Sequence, residues 1–398
     1  MADAARPGPK TLLIFTVGAS GGVDDTSAAS GTWYIRRYED YFDHVHLAHL
    51  WCRPAPPVTQ GRTTLHPLGT GNRKRDLLAA PWRLLRLATQ IRATHYLVSD
   101  LVWSWWVSVL IILVRRARVH LLPLVIPDII YRTTGTSLSV RMPIWLEKGL
   151  ISLSYRFAHR ILVGKSVGDF ASWFSSHALA GPKTYLADAL VEAIPPPCFF
   201  EGLERLDPAR SRPECSDDQG TSPLDLLYVG RLSHEKMLDH LIMMVAEIRT
   251  LQASTFPLRL RLIGNGSERG RLEKLAQDLA VPDLVEFRGY VRNGDLPEHY
   301  AQATVFVSPL TGCALREAAL CGTPIAAYDL DWIHGLLNHG ETALLAPPGD
   351  YRELARQLLR LRSEPQLREH LSRNVRALAW RLWSPNNLRE SLARSFGD

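Results

Sequence analysis

The 398-residue sequence predicts an α/β protein made of two doubly wound domains. Three observations carry this expectation. Short apolar, strand-forming runs alternate with segments of helical periodicity, the pattern of stacked βα units. That rhythm breaks once, over a polar stretch between Glu201 and Pro223. It then restarts, and a chain of this length can bury two cores of ordinary domain size.

The first strand is the run Leu12 to Val17, rich in strand formers and ended by the Gly/Ser loop Gly18 to Gly22. Val45–Leu50, Tyr96–Val98, Val119–Ile126 and Ile161–Val163 read as further strands of a parallel sheet. Between them, residues 101–114 read as a buried helix. Arg141 to Arg156 spaces Ile144, Leu146, Leu150, Ile151 and Leu153 as a helix does, and Ser166–Ser176 follows as another. Pro195-Pro196-Pro197 is a breaker ahead of the polar connection. Beyond it, strands are expected at Leu224–Val229, Arg259–Ile263, Val285–Arg288, Val305–Ser308, Ile325–Ala327 and Leu344–Leu345. The intervening helices are Met237–Leu251, Glu268–Leu279, Pro297–Gln302, Ala314–Cys321 and Tyr351–Arg362. In the first of them Leu238, Leu241, Ile242, Val245 and Ile248 share one face. The expected division is residues 1–200, a linker at 201–223, a second domain at 224–384 and a terminal segment at 385–398.

Hydrophobic residues make up 46% and charged residues 22% of the chain, the balance of a globular protein rather than a disordered one. The net charge of +6 is unevenly spread: residues 1–199 hold 22 of the 46 Lys+Arg and 13 of the 40 Asp+Glu. A basic first half suits an anionic partner, or is a solvated face. The five cysteines (Cys52, Cys198, Cys215, Cys313, Cys321) show no CxxC and no metal-like spacing, and read as free thiols in a reducing compartment. Met1 to Lys10 carries no apolar signal core, and the run at 101–114 is short for a bilayer span, so a cytoplasmic protein is expected.

The most informative stretch is Gly230-Arg231-Leu232-Ser233-His234-Glu235-Lys236, set between a strand and a helix. A diphosphate needs fixed positive charge and backbone N–H donors, and strand-to-helix turns supply the donors. Arg231 can fork onto phosphate oxygens while Lys236 brings a point charge. Taken alone, the pair reads more readily as two surface cations capping a loop. A second piece, Ile263-Gly264-Asn265-Gly266-Ser267-Glu268, is a strand end and a tight glycine turn, where Gly264 and Gly266 would let a ligand approach the backbone. In a third piece Gly312 and the amides of Cys313 and Ala314 would point at an anion in front of a helix. Glu317, one turn in, could accept from a ribose diol, or be an exposed acid favouring the helix dipole.

The order and spacing of these pieces resemble the donor domain of the retaining GT-B glycosyltransferases of family 4 (glycosyl transferases group 1), from about Leu226 to about Trp383. The resemblance extends through Phe287-Arg288-Gly289-Tyr290-Val291, Leu296-Pro297 with Tyr300-Ala301, Glu317-Ala318 with Gly322-Thr323-Pro324, Gly340-Glu341-Thr342 and Pro347-Pro348-Gly349-Asp350. It implies a GT-B fold, two Rossmann-like domains facing across a cleft, with the terminal segment from Asn386 to Phe396 returning as a helix to the first domain. Arg231 and Lys236 would hold the donor diphosphate and stabilise the leaving group without a metal. Gly230 opens this phosphate loop, Glu317 would bind the ribose, and Gly312 would contact sugar and phosphate. No cofactor is implied beyond the nucleotide diphosphate sugar donor itself. The acceptor would be a glycan or lipid-linked hydroxyl, with no nucleic acid partner; an acceptor at the membrane, with peripheral contact at the inner face, would fit the basic first half.

The chain departs from the family where Pro309 replaces the first Glu of the E-x7-E motif, Leu310-Thr311 replaces Gly-Phe, and His334-Gly335 replaces a Pro-Glu pair. Thr311 or Arg316 would then serve the donor sugar. In the first domain, Gly21 and Gly22 of the loop Gly18–Gly22 sit where the family's Gly-rich loop nears the donor. That loop also resembles the nucleotide loop of short-chain dehydrogenases, but no Tyr-x-x-x-Lys accompanies it. Asp128 follows the strand where many members carry a His. It would contact an acceptor hydroxyl or the donor sugar, or else cap a helix ahead of Ile129; Asp24 and Asp25 are weaker candidates. Trp103, Trp105 and Trp106 with Arg115, Arg116 and Arg118 read as a core helix with a charged loop, or as a bilayer-interface group. Two alternatives to sugar transfer stay open: another GT-B enzyme such as an epimerase or phosphorylase, or a non-catalytic sugar-nucleotide binder.

Overall fold

A computed structural model of the chain describes residues 9–16, 37–49, 52, 54–99, 118–122, 158–164, 184–187, 194–206, 223–251, 256–310, 312–330, 333 and 335–397. The chain divides into two compact units. The first comprises Met1–Lys165, Asp169–Val191 and Leu388–Asp398, and the second is chiefly Glu192–Asn387.

The first unit is built on strands β1 (Thr11–Thr16), β2 (His44–His49), β3 (Val58–Gln60), β4 (Thr63–Pro67), β5 (His95–Ser99), β6 (Arg118–Leu122), β7 (Arg160–Gly164) and β8 (Thr184–Ala187). Their order is β3-β4-β2-β1-β5-β6-β7-β8, parallel throughout except between β3 and β4. Leu12, Leu13 and Phe15 of the central β1 are fully buried, as a strand covered on both faces requires. The β3–β4 hairpin was not expected from the sequence. Its three-residue first strand is exposed and carries no apolar alternation, and Gly61 turns it with φ +60°.

Helix α1 (Arg73–Gln90) starts on Asn72, whose Oδ1 accepts from the amide of Arg75 at 3.2 Å. Asp76 is buried beneath it. Its Oδ1 accepts from the amide and hydroxyl of Thr70 at 2.8 and 2.7 Å, and pairs with Arg83 at 3.1 Å. Leu84, Leu87 and Ala88 complete the inward face.

In the second unit, strands β9 (Leu224–Val229), β10 (Leu258–Ile263), β11 (Val285–Gly289), β12 (Val305–Ser308), β13 (Ile325–Tyr328) and β14 (Leu344–Ala346) form one parallel sheet. Its order is β11-β10-β9-β12-β13-β14. Each expected strand of this half is present within a residue at either end. Around the sheet lie α2 (Pro197–Glu204), α3 (Leu238–Leu251), α4 (Arg269–Asp278), α5 (Leu296–Gln302), α6 (Cys313–Cys321), α7 (Tyr351–Ser363) and α8 (Pro365–Trp383). The apolar stripe of α3 is buried as its spacing predicts.

One polar pair threads the core. Arg261 is 2% exposed and donates from Nε to Asp225 at 2.9 Å, while Arg259 reaches the other oxygen of the same carboxylate at 2.8 Å. A buried guanidinium is tolerated because its charge is met by hydrogen bonds.

The triple proline does not open the linker. Pro197 is the first residue of α2, where its missing N–H costs nothing. Phe199 packs on Tyr300 with ring centroids 6.3 Å apart, and Phe200 on Trp380, also at 6.3 Å. These contacts place α2 in the second unit, so the units part at 191/192 rather than across 201–223.

Helix α9 (Pro385–Phe396) closes the described chain, and from Leu388 onward it belongs to the first unit. Phe396 packs edge-on against Phe42 at 5.2 Å and, at a tilt, against His120 at 4.7 Å. The Arg160 guanidinium caps the helix end by donating to the carbonyls of Arg394 and Ser395. His120 stacks on His95 at 5.5 Å. Burial, then the neighbouring His95 and His159, hold the His120 ring down to about 2, and burial followed by Arg118 holds His95 at about 4. Both rings are therefore neutral in water near neutral pH.

Candidate functional site

The sheet of the second unit reverses direction at β9. The chain runs from β9 to β10 and β11 on one side, then crosses to β12, β13 and β14 on the other. The loops after β9 and β12 diverge at this switch point, and open α/β sheets bind ligands outside the strand ends there. The loop after β9 is Gly230 to Lys236, and the loop after β12 leads to Gly312. The structure thus brings together two of the sequence pieces at one end of one sheet.

The first loop is fixed from within. Leu232 is fully buried, and the Tyr228 hydroxyl donates to the carbonyl of Arg231 at 3.2 Å. His234 to Lys236 form a single 3-10 turn, closed by Met237 in the left-handed region at φ 50°. Arg231 is exposed and Lys236 partly so, consistent with charges held out from a rigid loop.

The glycine turn after β10 has a different role from the one its composition suggests. The amide of Leu232 donates to the carbonyl of Asn265 at 3.0 Å, and the amide of Glu268 donates to that of Leu232 at 3.1 Å. A Cβ on Gly264 would meet the Gly230 carbonyl oxygen at 1.9 Å, and one on Gly266 the Leu232 oxygen at 2.0 Å. The close approach that Gly264 and Gly266 allow is therefore to the neighbouring loop. They set the phosphate-loop candidate in place. Glu268 reinforces the join, pairing with Arg271 at 2.5 Å and lying 3.9 Å from His234.

Gly312 contrasts with both. It is the N-cap of α6, in extended backbone, and no side chain caps the helix. Nothing lies within 4 Å of a Cβ placed there. The first amides of α6, those of Cys313 and Ala314, have no intrahelical acceptor by helix geometry. Positive dipole and open space coincide at this point, which suits an anion.

Glu317 is not an exposed first-turn acid. Its side chain is 4% exposed, and Oε2 accepts from the Tyr300 hydroxyl at 2.8 Å. Burial, then the Glu317 charge, pushes the Tyr300 hydroxyl well above the ordinary tyrosine range. Burial and the same carboxylate also raise the thiol of Cys321. Any ribose contact by Glu317 would have to share the carboxylate with Tyr300. Tyr300 had a visible signal, since it stands in one of the sequence motifs, but nothing in the sequence linked it to Glu317. The role of Tyr228 in pinning Arg231 had none.

Asp128, Gly21, Gly22 and Thr311 lie outside the described residues, as do Asp24, Asp25, Trp103, Trp105, Trp106, Arg115, Arg116, Cys215 and His334. The described cysteines, Cys52, Cys198, Cys313 and Cys321, are free thiols. Among the described residues no three His, Cys, Asp or Glu side chains gather in a way that could hold a metal ion.

Residues 217–378 match the family described as glycosyl transferases group 1. The chain resembles that family. It is 31% identical over 143 residues to a 2-deoxystreptamine glucosyltransferase of Streptomyces kanamyceticus, covering 35% of this chain and 36% of the relative. It is 33% identical over 169 residues to a D-inositol 3-phosphate glycosyltransferase of Thermomonospora curvata, covering 39% of each. The chain thus spans well under half the length of these curated relatives. Among solved structures, a sucrose-phosphate synthase of Thermosynechococcus elongatus superposes with a TM-score of 0.72 at 18% identity, over 97% of this chain and 98% of the other. Anabaena HepE in complex with UDP superposes with a TM-score of 0.70 at 15% identity, over 97% and 99%. The fold is GT-B, with two Rossmann-like units.

Proposed function

We propose that this glycosyltransferase-like chain moves a sugar from a nucleotide diphosphate sugar to an acceptor hydroxyl, with retention at the anomeric carbon. The observation that carries the reading is the pairing of the Gly230–Lys236 loop with the open N-terminus of α6 across the β9/β12 switch point. Arg231 and Lys236 would bind the diphosphate and stabilise the charge that develops on the leaving group, with no metal required for that task. Gly312 and the amides of Cys313 and Ala314 would hold its other side. Glu317 would accept from the ribose beside Tyr300. The leaving phosphate would help deprotonate the acceptor on the same face, so positioning and charge stabilisation supply the catalysis. Glycan or glycolipid biosynthesis in the cytoplasm is the setting that fits such a donor. Among the structural relatives, HepE was solved with UDP and with UDP-glucose, which makes the uridine nucleotides the first donors to try.

Pro309 supports a second reading, a sugar-nucleotide binder without turnover, because a carboxylate expected at the donor sugar is missing there. A thermal-shift panel of UDP, GDP, ADP and their common sugars, followed by turnover against an acceptor panel, tests both. A ligand that binds the folded state raises its melting temperature. Nucleotide sugar binding with sugar transfer is the expected result. Binding without transfer across the panel favours the second reading, epimer or sugar phosphate formation points to another GT-B chemistry, and no nucleotide binding overturns the site.

A further inference from the structure

The net charge of the chain is concentrated in one short segment. Between Asp43 and Asp100 the sequence holds eight basic residues (Arg53, Arg62, Arg73, Lys74, Arg75, Arg83, Arg86, Arg92) and one acid, Asp76. That acid is buried and bonded to Arg83 and Thr70, so it offers no negative charge to solvent.

Helix α1 sorts this segment into two faces. Asp76, Leu84, Leu87 and Ala88 point inward. Arg75, Trp82, Arg86 and Thr89 recur at helical spacing on the opposite side, and all are exposed. Trp82 is 76% exposed, the most exposed of the large hydrophobic residues described. Arg92, just beyond the helix, is exposed as well. The indole is flanked one and two turns away by guanidinium groups and takes no part in the core.

We propose that this face of α1 docks on an anionic lipid surface. An indole is satisfied at the level of the headgroups, where its ring meets acyl chains and its N–H meets water. Arg75 and Arg86 share the helix face of Trp82, Arg92 is exposed just beyond the helix end, and these guanidinium groups would reach lipid phosphates at that depth. The stripe lies along the exposed face of one helix, which suits lying on a plane rather than gripping a strand or a chain end. Among the described residues no helix is long and apolar enough to cross a membrane. The inference goes beyond the catalytic reading and stands on residues of the first unit that take no part in it.

Flotation of the full chain with vesicles of phosphatidylcholine alone and of phosphatidylcholine with phosphatidylglycerol tests it. The protein should float with the mixed vesicles, stay behind with the neutral ones, and dissociate as salt is raised. Arg75→Ala with Arg86→Ala should lower the partition coefficient by about fivefold per arginine and flatten its salt dependence. Trp82→Ser should weaken partition while leaving the salt dependence as it was. Circular dichroism and the melting temperature should stay at wild-type values in both variants, since all three side chains are exposed. Equal binding to neutral and anionic vesicles, wild-type partition by both variants, or retention on a polyanion such as duplex DNA without vesicle binding would each overturn the proposal.

Discussion

The carbonyl oxygen of Gly230 stands 1.9 Å from where a side chain on Gly264 would begin. Two loops that follow adjacent strands are therefore in backbone-to-backbone contact, and the placement of the Gly230–Lys236 loop depends on the absence of a side chain in the other. Gly264 also holds φ at +139°, a conformation other residues rarely adopt.

Gly264→Ala should destabilise the second unit by about 1–3 kcal/mol or more, through overpacking and backbone strain together. Gly312→Ala should leave stability close to wild type, because the space in front of it is open. The same Gly312→Ala change should weaken nucleotide binding. Denaturant unfolding and calorimetric titration with UDP, run on both variants, separate the two roles; equal stability losses would remove the distinction.

Arg231→Ala and Lys236→Ala should each raise the dissociation constant for a nucleoside diphosphate by roughly 10- to 100-fold, since a hydrogen bond to a charged group contributes about 1.5–3 kcal/mol. Affinity for the bare nucleoside should change little. Titration with UDP and with uridine reads the contrast, and unchanged affinity for UDP would remove these residues from the site.

Tyr300→Phe should cost about 1–3 kcal/mol of stability, because it strips a hydrogen bond from a buried carboxylate. Glu317→Gln keeps an acceptor opposite the Tyr300 hydroxyl and should cost less. If Glu317 also serves the ribose, Glu317→Gln weakens nucleotide binding more than Tyr300→Phe does. The reverse order would make the carboxylate a packing element alone.

Acid should loosen the seat of α9. The His120 ring titrates near 2 in the folded protein, against an unfolded value near 6.5. Its folded value is depressed, so between these limits the unfolded state binds the extra proton and stability falls as pH falls. The loss reaches about 2 kcal/mol by pH 5 for a shift of this kind. His120→Phe, an apolar ring in the same place, should flatten the dependence of the urea midpoint on pH between 7 and 5. An unchanged slope would assign the acid sensitivity to other groups.

In the second unit α2 and α8 were not among the expected helices, but the six strands and helices α3 to α7 were legible, because the strands are short apolar runs and helices such as α3 carry a clear stripe. Leu238, Leu241, Ile242, Val245 and Ile248 are an example, buried as spaced. In the first unit the hairpin at 58–67 escaped detection, since exposed strands such as Val58–Gln60 have no alternation to read. Helix α1 escaped too, with Pro81 in the middle of its sequence and arginines on both faces. At the site, spacing pointed to Arg231, Lys236 and Gly312 as candidates. It could not tell that Gly264 and Gly266 face a neighbouring loop, nor that Glu317 is buried on α6 against the Tyr300 hydroxyl, because those facts depend on contacts between distant segments.

The return of α9 to the first unit has a consequence for synthesis. A ribosome delivers Met1 to Val191 early, but Leu388 to Phe396, with the phenylalanine that covers His120, emerge after all of the second unit. The unit made first is thus the one completed last, and the second can reach its native packing while the first still waits for its final helix. Until then the rings of Phe42, His95 and His120 lack their cover, so a pause or truncation late in translation should leave the earlier-made unit, not the later one, open to proteolysis.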